Sequence, residues 1–80
     1  MQKEIFPIVA DLISQTLGVS RDQIASELAY GDLPEWDSMG HMNLMMALEE
    51  KYGIQISADT ITNLVSIPAI IKYLLENHHV

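Results

Sequence analysis

The stretch Leu33-Pro34-Glu35-Trp36-Asp37-Ser38-Met39 runs without a break into Gly40-His41-Met42-Asn43-Leu44-Met45-Met46-Ala47-Leu48-Glu49-Glu50-Lys51-Tyr52-Gly53. An acidic, proline-bearing loop gives way to a helix, expected from Ser38 to Tyr52 and closed by Gly53. At about 100° per residue, His41, Leu44, Met45, Leu48 and Tyr52 share one side of that helix. Met39, Met42 and Met46 share the opposite side with Asn43, Glu49 and Glu50. A surface helix ordinarily carries one apolar stripe with its charges opposite. Two stripes imply that one faces a core and the other faces something else. Methionine is flexible and polarisable, and it recurs on surfaces that fit several partners. A chain of 80 residues has little material with which to cover both sides of one helix. The methionine stripe is therefore expected at the surface.

Ser38 places a hydroxyl at the start of this helix. Backbone N–H groups there lack partners, and the helix dipole favours an anion.

Outward from this segment, the chain reads as helices on both sides. Ile5, Val9, Leu12, Ile13 and Leu17 follow helical spacing, and Gly18 suits a C-terminal cap. Pro7 confines the start of that first helix either to Glu4, with proline in its first turn, or to Pro7 itself. A long connection spans Gly18 to Asp37. Ser20-Arg21-Asp22-Gln23 has the form of a capping box opening a short helical turn, and Val19, Ile24 and Leu28 are candidates to pin the connection to the core. Loops this long in compact domains are often functional. After Gly53, Ile54 and Ile56 alternate with polar residues, but the chain offers no partner strand, so they read as buried anchors in a loop. A short third helix is expected from about Asp59 to Leu64. The last helix opens with Ser66 as N-cap and Pro68 in its first turn, and Ile67, Ile70, Ile71, Leu74 and Leu75 repeat on one face. The expected fold is all-α: a small four-helix bundle with a long loop between the first and second helices and a short third helix. Residues 1–80 form a single domain in this reading.

Composition narrows the function. A hydrophobic content of 49% argues against a disordered tail. With no cysteine, neither a disulfide framework nor a thiolate metal site is available, and any thiol chemistry needs an added group. No apolar run approaches the ~20 residues that span a bilayer, and Met1-Gln2-Lys3-Glu4 lacks the layout of a signal peptide. A cytoplasmic protein without membrane insertion is the expectation. The net charge is −7, and between Asp32 and Glu50 there is no lysine or arginine to balance Asp32, Glu35, Asp37, Glu49 and Glu50. Such a field repels nucleic acid and anionic membranes and attracts basic surfaces. Glu49 and Glu50 stand near a helix C-terminus, where the dipole disfavours them. A local cost with no evident local gain points to an outside partner.

These residues resemble the acyl and peptidyl carrier protein family, over nearly the whole chain and most strongly from Leu33 to Ile56. In that family an Asp-Ser-Leu-like motif opens the second of four helices. Here Asp37-Ser38-Met39 stands in that place, followed by Leu44, Ala47-Leu48-Glu49-Glu50, Tyr52 and Gly53-Ile54. The resemblance implies a carrier and not an enzyme. It implies that Ser38 receives 4′-phosphopantetheine from coenzyme A through a separate Mg²⁺-dependent phosphopantetheinyl transferase, and that Asp37 helps that transferase recognise its substrate. It further implies that Met39, Met42, Asn43, Met46, Glu49 and Glu50 form the surface on which partner enzymes dock. Those partners are an acyl- or aminoacyl-loading enzyme and a downstream transferase or synthase, met by a monomeric carrier. Cargo is expected to fold back near Leu44, Met45, Leu48, Ile56 and Ile61.

The chain departs from the family pattern in places. Met39 replaces the more usual leucine, nearly conserving volume. Asn43 stands where many fatty-acid carriers have glutamate, Gly40 where they often have another acid, and Trp36 where a small residue is typical. These departures lean toward a specialised biosynthetic pathway.

Other chemistry is less well supported by the residues. Asp37-Ser38-Met39-Gly40 is not a G-x-S-x-G elbow, and His41 falls on the core side, so a Ser38–His41 hydrolytic pair is not expected. His78 and His79 are adjacent at a terminus, which is poor geometry for shared metal ligation, and the loop acids lack the calcium-loop spacing. Trp36 reads as an anchor for the loop. Gly40 reads equally as a device for close approach of a prosthetic arm or as a tolerated glycine at a helix start. From a different class, the alternative function is an unmodified acidic adaptor that binds a partner through Met39, Met42 and Met46.

Overall fold

A computed structural model describes residues 5–77. The first helix, α1 (Phe6–Leu17), begins one residue before Pro7. Proline so placed gives up an N–H that has no helical partner anyway. Gly18 ends the helix in the left-handed region at φ 70°, and its N–H donates to the Ser14 carbonyl at 3.0 Å. Val9, Ala10 and Ile13 form its buried face.

The long connection then makes a single 3₁₀ turn at Arg21–Gln23, opened by the expected capping box. Gln23 Oε1 accepts from the Ser20 N–H at 3.2 Å, and Ser20 Oγ accepts from the Asp22 N–H at 3.3 Å. Val19, Ile24 and Leu28 are all buried, so the connection is pinned where the apolar residues foretold. One feature escapes sequence reading. Ala29 and Ser66 form an isolated antiparallel bridge. The Tyr30 N–H donates to the Val65 carbonyl at 2.8 Å, and the Ile67 N–H donates to the Leu28 carbonyl at 2.9 Å. The loop is thus stitched to the chain just ahead of the last helix.

The second helix, α2 (Ser38–Tyr52), ends at Gly53 with φ 64°. Its buried residues are Gly40, His41, Leu44, Met45 and Leu48. On the other side Met39, Met42 and Met46 are 74%, 48% and 56% exposed. The two-stripe reading is correct, and only one stripe is core.

The third helix, α3 (Ala58–Asn63), starts one residue earlier than expected. The Ser57 hydroxyl accepts from the Thr60 N–H at 3.2 Å and so fixes the start, while Leu64 is its C-cap and turns into the core. No residue within α3 is fully buried. The last helix, α4 (Ile67–Asn77), is capped by Ser66 Oγ, which accepts from the Ala69 N–H at 3.2 Å. It buries Ile67, Ile70 and Leu74.

The described residues therefore form four helices and one 3₁₀ turn, a small all-α bundle. Its centre combines Ile13, Trp36, Leu44, Met45, Leu48, Ile67, Ile70 and Leu74. Each such side chain contributes about 1.5–3 kcal/mol on burial. Ile56 joins them and Ile54 packs at the edge, as loop anchors and not as a strand.

Candidate functional site

The N-terminus of α2 is built by the loop that precedes it. Three backbone hydrogen bonds wind residues 29–36 tightly: Asp32 N–H to Ala29 O at 2.9 Å, Trp36 N–H to Leu33 O at 3.0 Å, and Gly31 N–H to Trp36 O at 3.1 Å. Asp32 Oδ2 accepts from the Ala29 N–H at 2.9 Å and closes the turn. Gly31 takes φ 89°, a value that L side chains rarely adopt. This winding carries the Trp36 side chain into the core, where it is fully buried.

Asp37 is the N-cap of α2. Its Oδ1 accepts from the Gly40 N–H at 2.9 Å, and its carbonyl accepts from the His41 N–H at 2.7 Å. Ser38 is consequently the first helical residue, and its side chain is exposed. Asp37 and Met39 on either side are exposed as well. The helix N-terminus expected to favour an anion is shared with the Asp37 side chain. The Asp37 carboxylate already occupies the Gly40 amide and places its own negative charge there.

The Ser38 hydroxyl has a partner that sequence reading missed. Tyr30 Oη lies 2.9 Å from Ser38 Oγ. The Tyr30 ring stands edge-on to the His41 ring, with centroids 5.5 Å apart, and its own N–H is held by Val65. Tyr30 carried no periodicity signal, because it sits in the loop and is 41% exposed.

His41 does not serve Ser38 as a base. Its Nδ1 accepts from Trp36 Nε1–H at 3.0 Å, and its Nε2 lies 2.9 Å from the Ile61 carbonyl oxygen. Indole nitrogen can only donate and a carbonyl can only accept, so the ring carries its proton on Nε2 and both nitrogens are engaged. The packed-histidine reading is the correct one.

Gly40 has a specific cause that neither sequence reading contained. A Cβ there would collide with the Glu35 backbone carbonyl and press against Leu17 Cδ2 at 3.0 Å. The loop passes so close over the first turn that only glycine fits. The absence of an acid at this position is a packing consequence.

Glu49 also differs from expectation. It is half-buried, and its Oε2 accepts from the Ile56 N–H at 2.8 Å. Its position near the helix C-terminus therefore has a local gain, which overturns the inference of an uncompensated cost. Asn43 and Glu50 are exposed alongside the methionines. No group of three or more metal-ligating side chains occurs among the described residues. His78 and His79 lie outside them.

The family described as "Phosphopantetheine attachment site" matches residues 7–74 of the chain. An acyl carrier protein of Lactobacillus johnsonii is 30% identical over 73 residues, covering 91% of both chains. An acyl carrier protein of Acidothermus cellulolyticus is 26% identical over 73 residues, covering 91% of this chain and 87% of its own.

Proposed function

Because the chain belongs to the family of phosphopantetheine-bearing acyl carrier proteins, we propose that it is a discrete carrier whose prosthetic group is joined to Ser38. The family is one of carriers and not catalysts, and its group is covalent 4′-phosphopantetheine. The observation that carries the assignment to Ser38 is the exposed hydroxyl at the first residue of α2, flanked by exposed Asp37 and Met39. A solvent-facing hydroxyl at the beginning of a rigid helix fits a group that a separate enzyme must add. When attached, the arm supplies the thiol that this cysteine-free chain lacks, and holds an acyl or aminoacyl group as a thioester.

The chain's own residues divide the remaining work. Ser38 presents its hydroxyl to a phosphopantetheinyl transferase, and no base is required of the carrier itself. Asp37 orders the first turn through Gly40 while its exposed carboxylate marks the site for the transferase. Met39, Met42 and Met46 offer an adaptable apolar face, with Asn43, Glu50 and the half-buried Glu49 at its margin. Basic, partly apolar patches on a loading enzyme and on a downstream transferase or synthase complement that face. The carrier acts as a single domain and a monomer, in the cytoplasm where coenzyme A is at hand. No helix among the described residues is long and apolar enough to cross a membrane.

A specialised pathway remains the favoured setting. With Gly40 and Trp36 explained by packing, that preference rests on Asn43 and on the methionine-rich face. Leu44, Met45 and Leu48 are fully packed core residues, so a cargo folding back among them would have to displace them.

Intact mass tests the assignment. The unmodified chain is incubated with coenzyme A, Mg²⁺ and a broad-specificity phosphopantetheinyl transferase. Wild type gains one phosphopantetheine and Ser38→Ala gains none. If several transferases that load a reference carrier leave the wild-type mass unchanged, the acidic-adaptor reading replaces this one.

A further inference from the structure

We propose that Tyr30 is the phosphate-positioning residue of this carrier, its phenol O–H donating to the phosphodiester once Ser38 is modified; this rests on Ser38 being the attachment point. Two observations converge on it. The phenol oxygen already lies 2.9 Å from the oxygen that becomes the ester. Beyond the first backbone amides of α2, side-chain donors for an anion are few along this segment. The Asp37 carboxylate holds the Gly40 amide, and from Asp32 to Glu50 the chain has no lysine or arginine. A neutral hydroxyl is therefore the side-chain donor poised beside the new charge.

The chemistry fixes the direction of that hydrogen bond. In the unmodified chain either oxygen can donate. During transfer, Ser38 Oγ attacks the phosphorus of coenzyme A that bears pantetheine. The Oγ–P bond forms, the P–O bond to adenosine 3′,5′-bisphosphate breaks, and the serine proton passes to a base on the transferase. Ser38 Oγ then has no hydrogen to donate, and the diester's charge lies on its two non-bridging oxygens, so the phenol beside Oγ is the group that donates to them. A hydrogen bond to an ionised acceptor is roughly twice as strong as its neutral counterpart. Tyr30 is also held in two ways: its N–H donates to the Val65 carbonyl as part of the Ala29–Ser66 bridge, and its ring makes a T-shaped contact with the His41 ring. The strap between the loop and the start of α4 thereby acquires a purpose, which is to hold the phenol over Ser38.

Tyr30→Phe removes one oxygen and keeps the ring. Four proteins are compared by urea unfolding: wild type and Tyr30→Phe, each unmodified and modified. The substitution is expected to lower the folding equilibrium constant about fivefold more in the modified pair than in the unmodified pair. The ³¹P resonance of the phosphodiester is expected to shift between modified wild type and modified Tyr30→Phe. Equal penalties in both pairs with an unmoved ³¹P resonance would reduce Tyr30 to a loop anchor and overturn the proposal. Wild-type chain that gains no mass under conditions that load a reference carrier overturns the attachment assignment, and this inference with it. Mass gain by both proteins sustains the assignment whichever way the Tyr30 comparison falls.

Discussion

The indole N–H of Trp36 donates to Nδ1 of His41 at 3.0 Å, joining the last aromatic of the loop to the first turn of α2. The same imidazole reaches the Ile61 carbonyl through Nε2 at 2.9 Å. One buried ring thus connects the loop, α2 and α3. The link matters most for α3, which buries no residue fully and is otherwise held by half-buried Ile61 and by Leu64 at its C-cap.

His41→Leu should cost about 2–3 kcal/mol, because it strands both a buried donor and an acceptor. Hydrogen exchange should accelerate across residues 58–63 more than across α1. Uniform acceleration, or a cost within error of zero, would mean that α3 is held by other contacts.

Gly40→Ala is expected to run against helix propensity. In an open helix the change would gain up to about 1 kcal/mol. Here the new methyl meets the Glu35 carbonyl, and a net loss of about 1–3 kcal/mol is expected in urea unfolding. Because the displaced backbone lies just ahead of Ser38, the rate of transferase loading should fall as well. A neutral or stabilising result would show that the loop yields easily.

Met42→Ala and Met46→Ala should each change stability by less than about 0.5 kcal/mol, since both side chains are largely exposed. Transferase KM should rise while kcat holds, if the face serves docking. A large drop in thermal midpoint for either variant would return that methionine to the core.

Glu49→Ala and Glu50→Ala should separate two acids that sequence treats alike. Loss of the Glu49 hydrogen bond to the Ile56 N–H should cost about 1 kcal/mol in unfolding, whereas Glu50→Ala should be close to neutral. Equal effects would deny Glu49 its structural role.

Burial raises the Tyr52 phenol above its ordinary value of 10.0. As pH climbs past that value, the unfolded chain loses this proton before the folded chain does. Stability is therefore full below it and declines as pH rises toward the folded value. The urea midpoint should be lower above about pH 10 than at about pH 8, and Tyr52→Phe should shrink that difference. An identical decline in the variant would assign the loss to other groups.

The elements were legible because they follow local rules. Helical repeats, the Gly18 and Gly53 stops, the Ser20 capping box and the two faces of α2 all depend on residues within a few positions of one another. Ser38 belonged to that legible set, since its place depends on where a helix starts. α3 starts at Ala58, one residue before the expected Asp59, because the Ser57 hydroxyl is its N-cap and accepts from the Thr60 amide.

What surrounds Ser38 was decided by the tertiary structure alone. Tyr30 meets Ser38 because a bridge to Ser66 sets the path of the loop, and Gly40 is required because Glu35 passes over it. Trp36 finds His41 across a loop-to-helix junction where no periodicity applies. Periodic patterns report how a segment divides its own surface between water and core. Contacts across a loop-to-helix junction depend on the path of the loop, which the distant Ala29–Ser66 bridge and the burial of Trp36 set, and no repeat in the sequence records which groups will meet.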